Sequence, residues 1–180
     1  MHYFIFPEFD TTLYQASASR NTGLDEILEI EKTMNQSGGN VRVSRILIKF
    51  DLAEISRSIV RGQIATDAKY YLNMYDANPT ELSYSQSLYA YPISASWVPG
   101  EGFRADNPKT QEATWDFRDG ITQKTYWGRA EDTAVSSSGG AWFSSSFASQ
   151  SFEYETRDMR MDVTPIVDDW LTKEYPNNGF

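Results

Sequence analysis

The sequence predicts an all-β chain, an antiparallel β-sandwich of jelly-roll type with one short C-terminal helix. Three observations carry that expectation. Aromatic residues are abundant, with 11 Tyr, 10 Phe and 5 Trp in 180 residues, and such side chains favour half-buried pleated surfaces. Several runs alternate apolar and polar residues with the period of two that strands require. Turn-forming residues separate these runs at short spacing, as in sandwiches and barrels. The length suits a single domain, residues 1–180, with a core of its own; no internal repeat or linker divides it.

Taken in order, Leu28 and Ile30 predict a short early strand. The run 41–52 puts Ile46, Ile48, Phe50 and Leu52 on one face. In the next run Ala68, Tyr70, Leu72 and Met74 share a face, opposite Tyr71 and Tyr75. Across 88–93, Tyr89, Tyr91 and Ile93 fall on one side, and Met159, Met161 and Val163 give a late strand. Turns are expected at Ala77-Asn78-Pro79, Pro99-Gly100-Glu101-Gly102 and Asp119-Gly120. Flexible loops are expected at Asn35-Gln36-Ser37-Gly38-Gly39-Asn40 and Ser136-Ser137-Ser138-Gly139-Gly140.

The helix is predicted from Thr164 to about Tyr175. Thr164 is placed to cap the first turn and Pro165 stands at the first helical position, where a missing N–H costs nothing. Ile166, Val167, Trp170 and Leu171 form one apolar stripe, which reads as a plug for an open end of the sandwich. Asp168 and Asp169 lie toward the positive end of the helix dipole and Lys173 toward the negative end. Pro176 and Asn177-Asn178-Gly179 stop it.

A net charge of -9 repels a phosphate backbone and disfavours an anionic membrane surface, so neither nucleic acid nor membrane is an expected partner. The absence of cysteine excludes disulfides, thiolate nucleophiles and Cys-based metal sites. No stretch approaches the roughly 20 apolar residues of a membrane helix. The start of the chain, Met1 to Glu8, has no basic leader, which predicts a protein not exported by the standard route.

Chemistry is weakly signalled. The one histidine, His2, sits near a terminus and is poorly placed for a catalytic triad. Asp168 and Asp169 point to different faces of a helix and read as dipole partners rather than a hydrolytic pair. Glu8 and Asp10 read as strand-start residues first and a cation site second. Asp116, Asp119 and Gly120 lack the alternating oxygen ligands of a calcium loop, although a structural Ca²⁺ is compatible with the acidic composition. No P-loop, dinucleotide fingerprint or EF-hand spacing is present, and no cofactor is expected. The aromatics carry more. Trp97, Trp115, Trp127 and Trp142 lie in or near loop segments, with Tyr89, Tyr91 and Tyr126 nearby. Most such indoles fill cores; Trp127 and Trp142, beside Gly128 and Gly139-Gly140, are the two expected to reach the surface. With Tyr126 they are the candidate ligand or interface residues.

The same residues fall in a pattern that resembles the DNRLRE-type domain, a β-sandwich module of extracellular proteins and phage particles. Asp10-Thr11-Thr12-Leu13-Tyr14 is similar to its opening motif, followed by the Asn21-Thr22-Gly23 turn and Leu28-Glu29-Ile30. Ser44 to Leu52 resembles its most recognisable strand and Ala68 to Tyr75 its next core strand. Trp97 and Ala113-Thr114-Trp115 resemble its later tryptophan segments. Asp162 to Leu171, then Asn177-Asn178-Gly179-Phe180, resembles its closing helix and turn. The resemblance covers the chain from about Asp10 onward and implies a jelly-roll-like sandwich without catalysis. The family pattern runs on past the Asn-Asn-Gly turn, so the chain is expected to be the N-terminal part of a longer protein or to be completed by a partner subunit.

The functional expectation is therefore a non-catalytic virion structural or decoration protein (capsid, neck, tail or fibre). It would be located in a virion or outside the cell and would bind other virion subunits or copies of itself. The alternative is a carbohydrate-binding accessory module of an extracellular protein, with host or cell-surface polysaccharide as its partner. A glycan-cleaving enzyme is disfavoured, because nothing in the sequence identifies tuned, paired carboxylates.

Overall fold

The computed structural model describes residues 2–34, 41–77, 85–106, 112–120, 124–128, 138–153 and 158–180. The loop expected at 35–40, the Asn78-Pro79 turn and Ser136-Ser137 lie outside the described residues. The rest is mostly strands in several small antiparallel sheets, with two helices. In chain order they are β1 (Phe9–Tyr14), β2 (Lys32–Met34), β3 (Val41–Lys49), α1 (Leu52–Val60), β4 (Tyr71–Met74) and β5 (Gln86–Ala90). Then come β6 (Phe117–Asp119), β7 (Thr125–Tyr126), β8 (Ala148–Phe152), β9 (Met159–Asp162) and α2 (Thr164–Thr172). They form two compact units, each assembled from separate stretches of chain.

One unit comprises Met1–Phe4, Asp51–Pro92 and Ser144–Asn177. Here β4 pairs with β9 and β5 with β8, both antiparallel. Gln150 of β8 ties the two ribbons together, donating to the Asp158 carbonyl and accepting from the Arg160 amide. Leu72, Met159 and Met161 turn inward from β4 and β9, and Ile166, Val167 and Trp170 from α2, as the period of two and the helical stripe require.

α1 was not expected. Strand alternation was read through to Leu52, but β3 ends at Lys49 and Asp51 caps a new helix, its carboxylate accepting from the Ala53 amide at 2.8 Å. Gly62, at φ 70°, ends this helix, donating to the Ile59 carbonyl. Both caps are in the sequence, but the strand alternation carried to Leu52 runs past the helix start and no element is expected over the residues that follow. α2 also differs in its start. Thr164 does not cap: its hydroxyl accepts from the Tyr70 amide, and Asp162 instead accepts from the Thr164 amide. The helix stops at Thr172, where Lys173 turns left-handed at φ 66°.

The other unit comprises Ile5–Phe50, Ile93–Phe143 and Asn178–Phe180. Its sheet has the order β1-β3-β2, and β1 faces β3 from Phe9↔Lys49 to Tyr14↔Ser44. At Ile48 the terminal segment joins β3, the Phe180 amide and carbonyl each bonded to Ile48, at 2.8 and 3.0 Å. β6 and β7 make a small irregular hairpin. Leu13, Leu47, Ile93, Ala95, Ala113, Trp115, Trp127 and Ala141 form the core.

Leu28 and Ile30 do not form the early strand expected of them; β2 begins at Lys32. Side-chain hydroxyls take the bonds a ladder would have used. Thr12 accepts from the Glu29 amide, and Ser44 accepts from the Glu31 amide and donates to the Glu29 carbonyl. Further shortening occurs elsewhere: Ala68 and Tyr70 precede β4, and Tyr91 and Ile93 lie beyond β5, with Ile93 bridged to Trp142.

Asn21 organises this unit. Its amide nitrogen donates to the Pro99 and Ala113 carbonyls, both at 2.7 Å, and its oxygen accepts from the Gly23 and Gly102 amides. A Cβ at Gly102 would lie 2.2 Å from the Asn21 carbonyl, so only glycine allows the approach. Asn21→Ala should lower unfolding stability by about 3 kcal/mol, since it leaves several buried backbone groups without partners. Urea denaturation measures this. A loss below about 1 kcal/mol would mean that these groups find water instead.

Candidate functional site

The β5–β8 ribbon separates its two faces cleanly. Ala90, Ala148 and Phe152 are buried, whereas Ser87, Tyr89, Ser149 and Ser151 are exposed. Register places Ser87 opposite Ser151 and Tyr89 opposite Ser149 on the outer face, and the Ser87 and Ser151 hydroxyls lie 3.0 Å apart. Tyr91 and Phe147, just beyond the strand ends, complete a cluster of rings. Phe147 is centred 5.9 Å from Tyr89 and 5.6 Å from Tyr91, and the two tyrosines lie 6.3 Å apart with planes only 24° from parallel. Tyr89 is 56% exposed and Phe147 54%. Neither strand carries a charged side chain. The result is a patch of rings edged by short hydroxyls on two strands without charged side chains, chemically suited to cover an apolar or hydroxylated surface.

The three candidate aromatics, Trp127, Trp142 and Tyr126, lie in the other unit and divide. Trp127 is 1% exposed and sits in the core, its indole N–H donating to the Thr114 carbonyl at 2.8 Å. The neighbouring Gly128 suggested an exposed turn, but the satisfied N–H lets the whole indole bury. Trp142 is half-buried, with the Arg45 guanidinium 4.8 Å from its ring centre. Tyr126 is 42% exposed and packs on Phe117 with centroids 4.6 Å apart. Trp115 is buried, and half-buried Trp97 donates to the Asn178 carbonyl at 2.7 Å.

The carboxylate candidates stay dispersed. Asp168 is exposed and Asp169 half-buried on α2. Glu8 is exposed, while Asp10 is half-buried and its carboxyl is pushed up by burial. Asp119 pairs across the β6–β7 hairpin with Thr125, and His2 is exposed. Among the described residues no three His, Asp or Glu side chains gather as a metal site would need, and no helix is long and apolar enough to cross a membrane.

The chain matches no protein-family model, no curated protein and no solved structure. The site therefore rests on its own geometry. The sequence placed Tyr89 and Tyr91 on one side of a strand but missed Phe147 and the serines, because β5 and β8 are far apart in the chain: Ser87 and Ser151 are separated by 64 positions.

On the β1–β3 sheet the Tyr14 hydroxyl donates to Glu29 at 3.0 Å, Arg104 lies over the Tyr14 ring, and Arg104 also pairs with Glu29. Burial, and then the Glu29 carboxylate, push the Tyr14 phenol well above its usual range. The neutral phenol is thus favoured by the fold. Its contribution is complete below the unfolded tyrosine pKa of about 10 and is lost as pH rises through the higher folded value. Tyr14→Phe should reduce stability at neutral pH and weaken the alkaline fall above about pH 10. Thermal unfolding of both proteins across that range measures the difference; parallel curves would remove the Tyr14–Glu29 bond as its cause.

Proposed function

We propose that this chain is a non-catalytic adhesion module, a jelly-roll-type β-sandwich of the DNRLRE kind. In this reading it serves as a structural or decoration subunit of a virion or another extracellular assembly. The observation that carries the reading is the outer face of the β5–β8 ribbon, where Tyr89 and Phe147 leave more than half of their surface in water. Exposed rings lower the free energy of a complex when a partner covers them, and such aromatics are enriched where protein surfaces meet. The antiparallel pairing of the strands among the described residues supports the sandwich class. The partner would be a neighbouring subunit, either another copy of the chain or a different shell protein. The reading needs no cofactor and no reaction.

A second reading, a carbohydrate-binding accessory module, is favoured by one feature of the same face. Tyr89 and Tyr91 are close to parallel, and serine hydroxyls stand beside them. That arrangement suits a sugar ring, whose apolar face stacks on aromatics while its rim accepts and donates hydrogen bonds.

The double variant Tyr89→Ala/Phe147→Ala separates the readings from a passive surface. Both rings are exposed, so stability should change by no more than about 1 kcal/mol. Sedimentation of the purified protein, alone and with particles, should show self-association or particle binding that the variant weakens about tenfold or more. Glycan binding, lost in the same variant, would select the second reading. Unchanged association in every assay would exclude this face as the working surface.

A further inference from the structure

Residues 178–180 form a short extended segment seated between β3 and Ile93. The Phe180 amide and carbonyl both bond to Ile48 of β3, at 2.8 and 3.0 Å, the exchange of bonds that an antiparallel pair makes. On the other side the Ile93 amide donates to the Gly179 carbonyl at 2.8 Å. The Trp97 indole N–H donates to the Asn178 carbonyl at 2.7 Å, and the Asn178 side-chain amide donates to the Ile93 carbonyl. The seat also reads side chains. Gly179 stands at φ 89°, and a Cβ there would overlap the Ile48 carbonyl and lie 3.0 Å from the Lys49 Cα, so only glycine fits. Phe180 is buried and meets Phe50 edge to face, with centroids 6.4 Å apart. Asparagine, glycine and phenylalanine are thus each selected by a different contact. All of these partners belong to one unit, whereas the stretch that leads to them, up to Asn177, belongs to the other. In that stretch Thr172, Lys173, Glu174 and Pro176 are exposed, so the connection that delivers the segment lies mostly in solvent.

We propose that this seat is a peptide-recognition site for Asn-Gly-Phe, and that the same segment of a second copy of the chain fills it by exchange. Backbone bonds supply the affinity and the side-chain fits supply the selectivity, as where a peptide adds to a sheet. None of these contacts depends on which copy supplies the segment, so exchange costs little beyond the loss of tethering. The seat uses no residue of the β5–β8 face, so each stands or falls separately.

A fluorescent peptide of sequence Pro-Asn-Asn-Gly-Phe is the probe, with its anisotropy as the readout. In the full-length Gly179→Ala protein the chain's own segment no longer fits, which opens the seat. That variant should bind the peptide saturably and at least about tenfold more tightly than the wild-type protein does, since there the tethered segment competes at an effective concentration of about millimolar. A peptide with alanine in place of glycine should bind at least about tenfold more weakly. No saturable binding to folded Gly179→Ala, or equal binding of the two peptides, would overturn the proposal. The wild-type protein supplies an independent test should the variant not fold. Held at about millimolar concentration, it should form a dimer that an excess of the glycine peptide dissolves and the alanine peptide does not. A monomer throughout, or a dimer on which the two peptides act alike, would equally overturn it.

Discussion

The unit built on β1, β2 and β3 depends on a single buried amide. A primary amide offers two donors and one oxygen with two lone pairs, and Asn21 uses all four positions on backbone groups. Those groups come from the turn at Gly23, from Pro99 and Gly102, and from Ala113, so one side chain fixes three stretches that are distant in sequence. Aspartate could not donate to the two carbonyls, and leucine could satisfy none of the four. In a dry interior such a network sets one arrangement apart from its near alternatives, because every competing packing strands a polar group. The cost falls on the neighbouring backbone, which must come so near that Gly102 cannot carry a side chain.

Hydroxyls repeat this device on a smaller scale. Thr22 accepts from the Thr12 amide and donates to the Thr12 carbonyl, and Thr114 accepts from the Phe117 amide. These threonines are fully buried. Side chains therefore supply hydrogen bonds that longer strands would have supplied through their ladders. That fits sheets this small: β2 has three residues and β7 two. Part of the chain's Ser and Thr polarity is thus internal.

Legibility followed range. Alternation of two is a local property, and it located β4 and β9 through Leu72, Met159 and Met161. The stripe of α2 was equally local and equally readable. α1 carried an Asp cap and a glycine stop, but the alternation of β3 was followed through to Leu52, past the start of the helix. Exposure was a different matter. Whether Trp127 is core or surface turns on the Thr114 carbonyl, thirteen positions away, accepting its N–H. The sequence beside an indole does not reveal that. The ring cluster on β5–β8 depends on which strand lies alongside, and no local pattern contains that information.

Charge distinguishes the two aromatic clusters. The chain carries a net charge of -9, and salt screens that field beyond about 10 Å, so an anionic ligand meets the repulsion at close approach. Neither β5 nor β8 carries a charged side chain to overcome that field, so their outer face favours a neutral partner. Arg45 is set differently: its guanidinium lies between the Trp115 and Trp142 rings and donates to the Gly139 carbonyl, so this cation is held by the fold of its own unit.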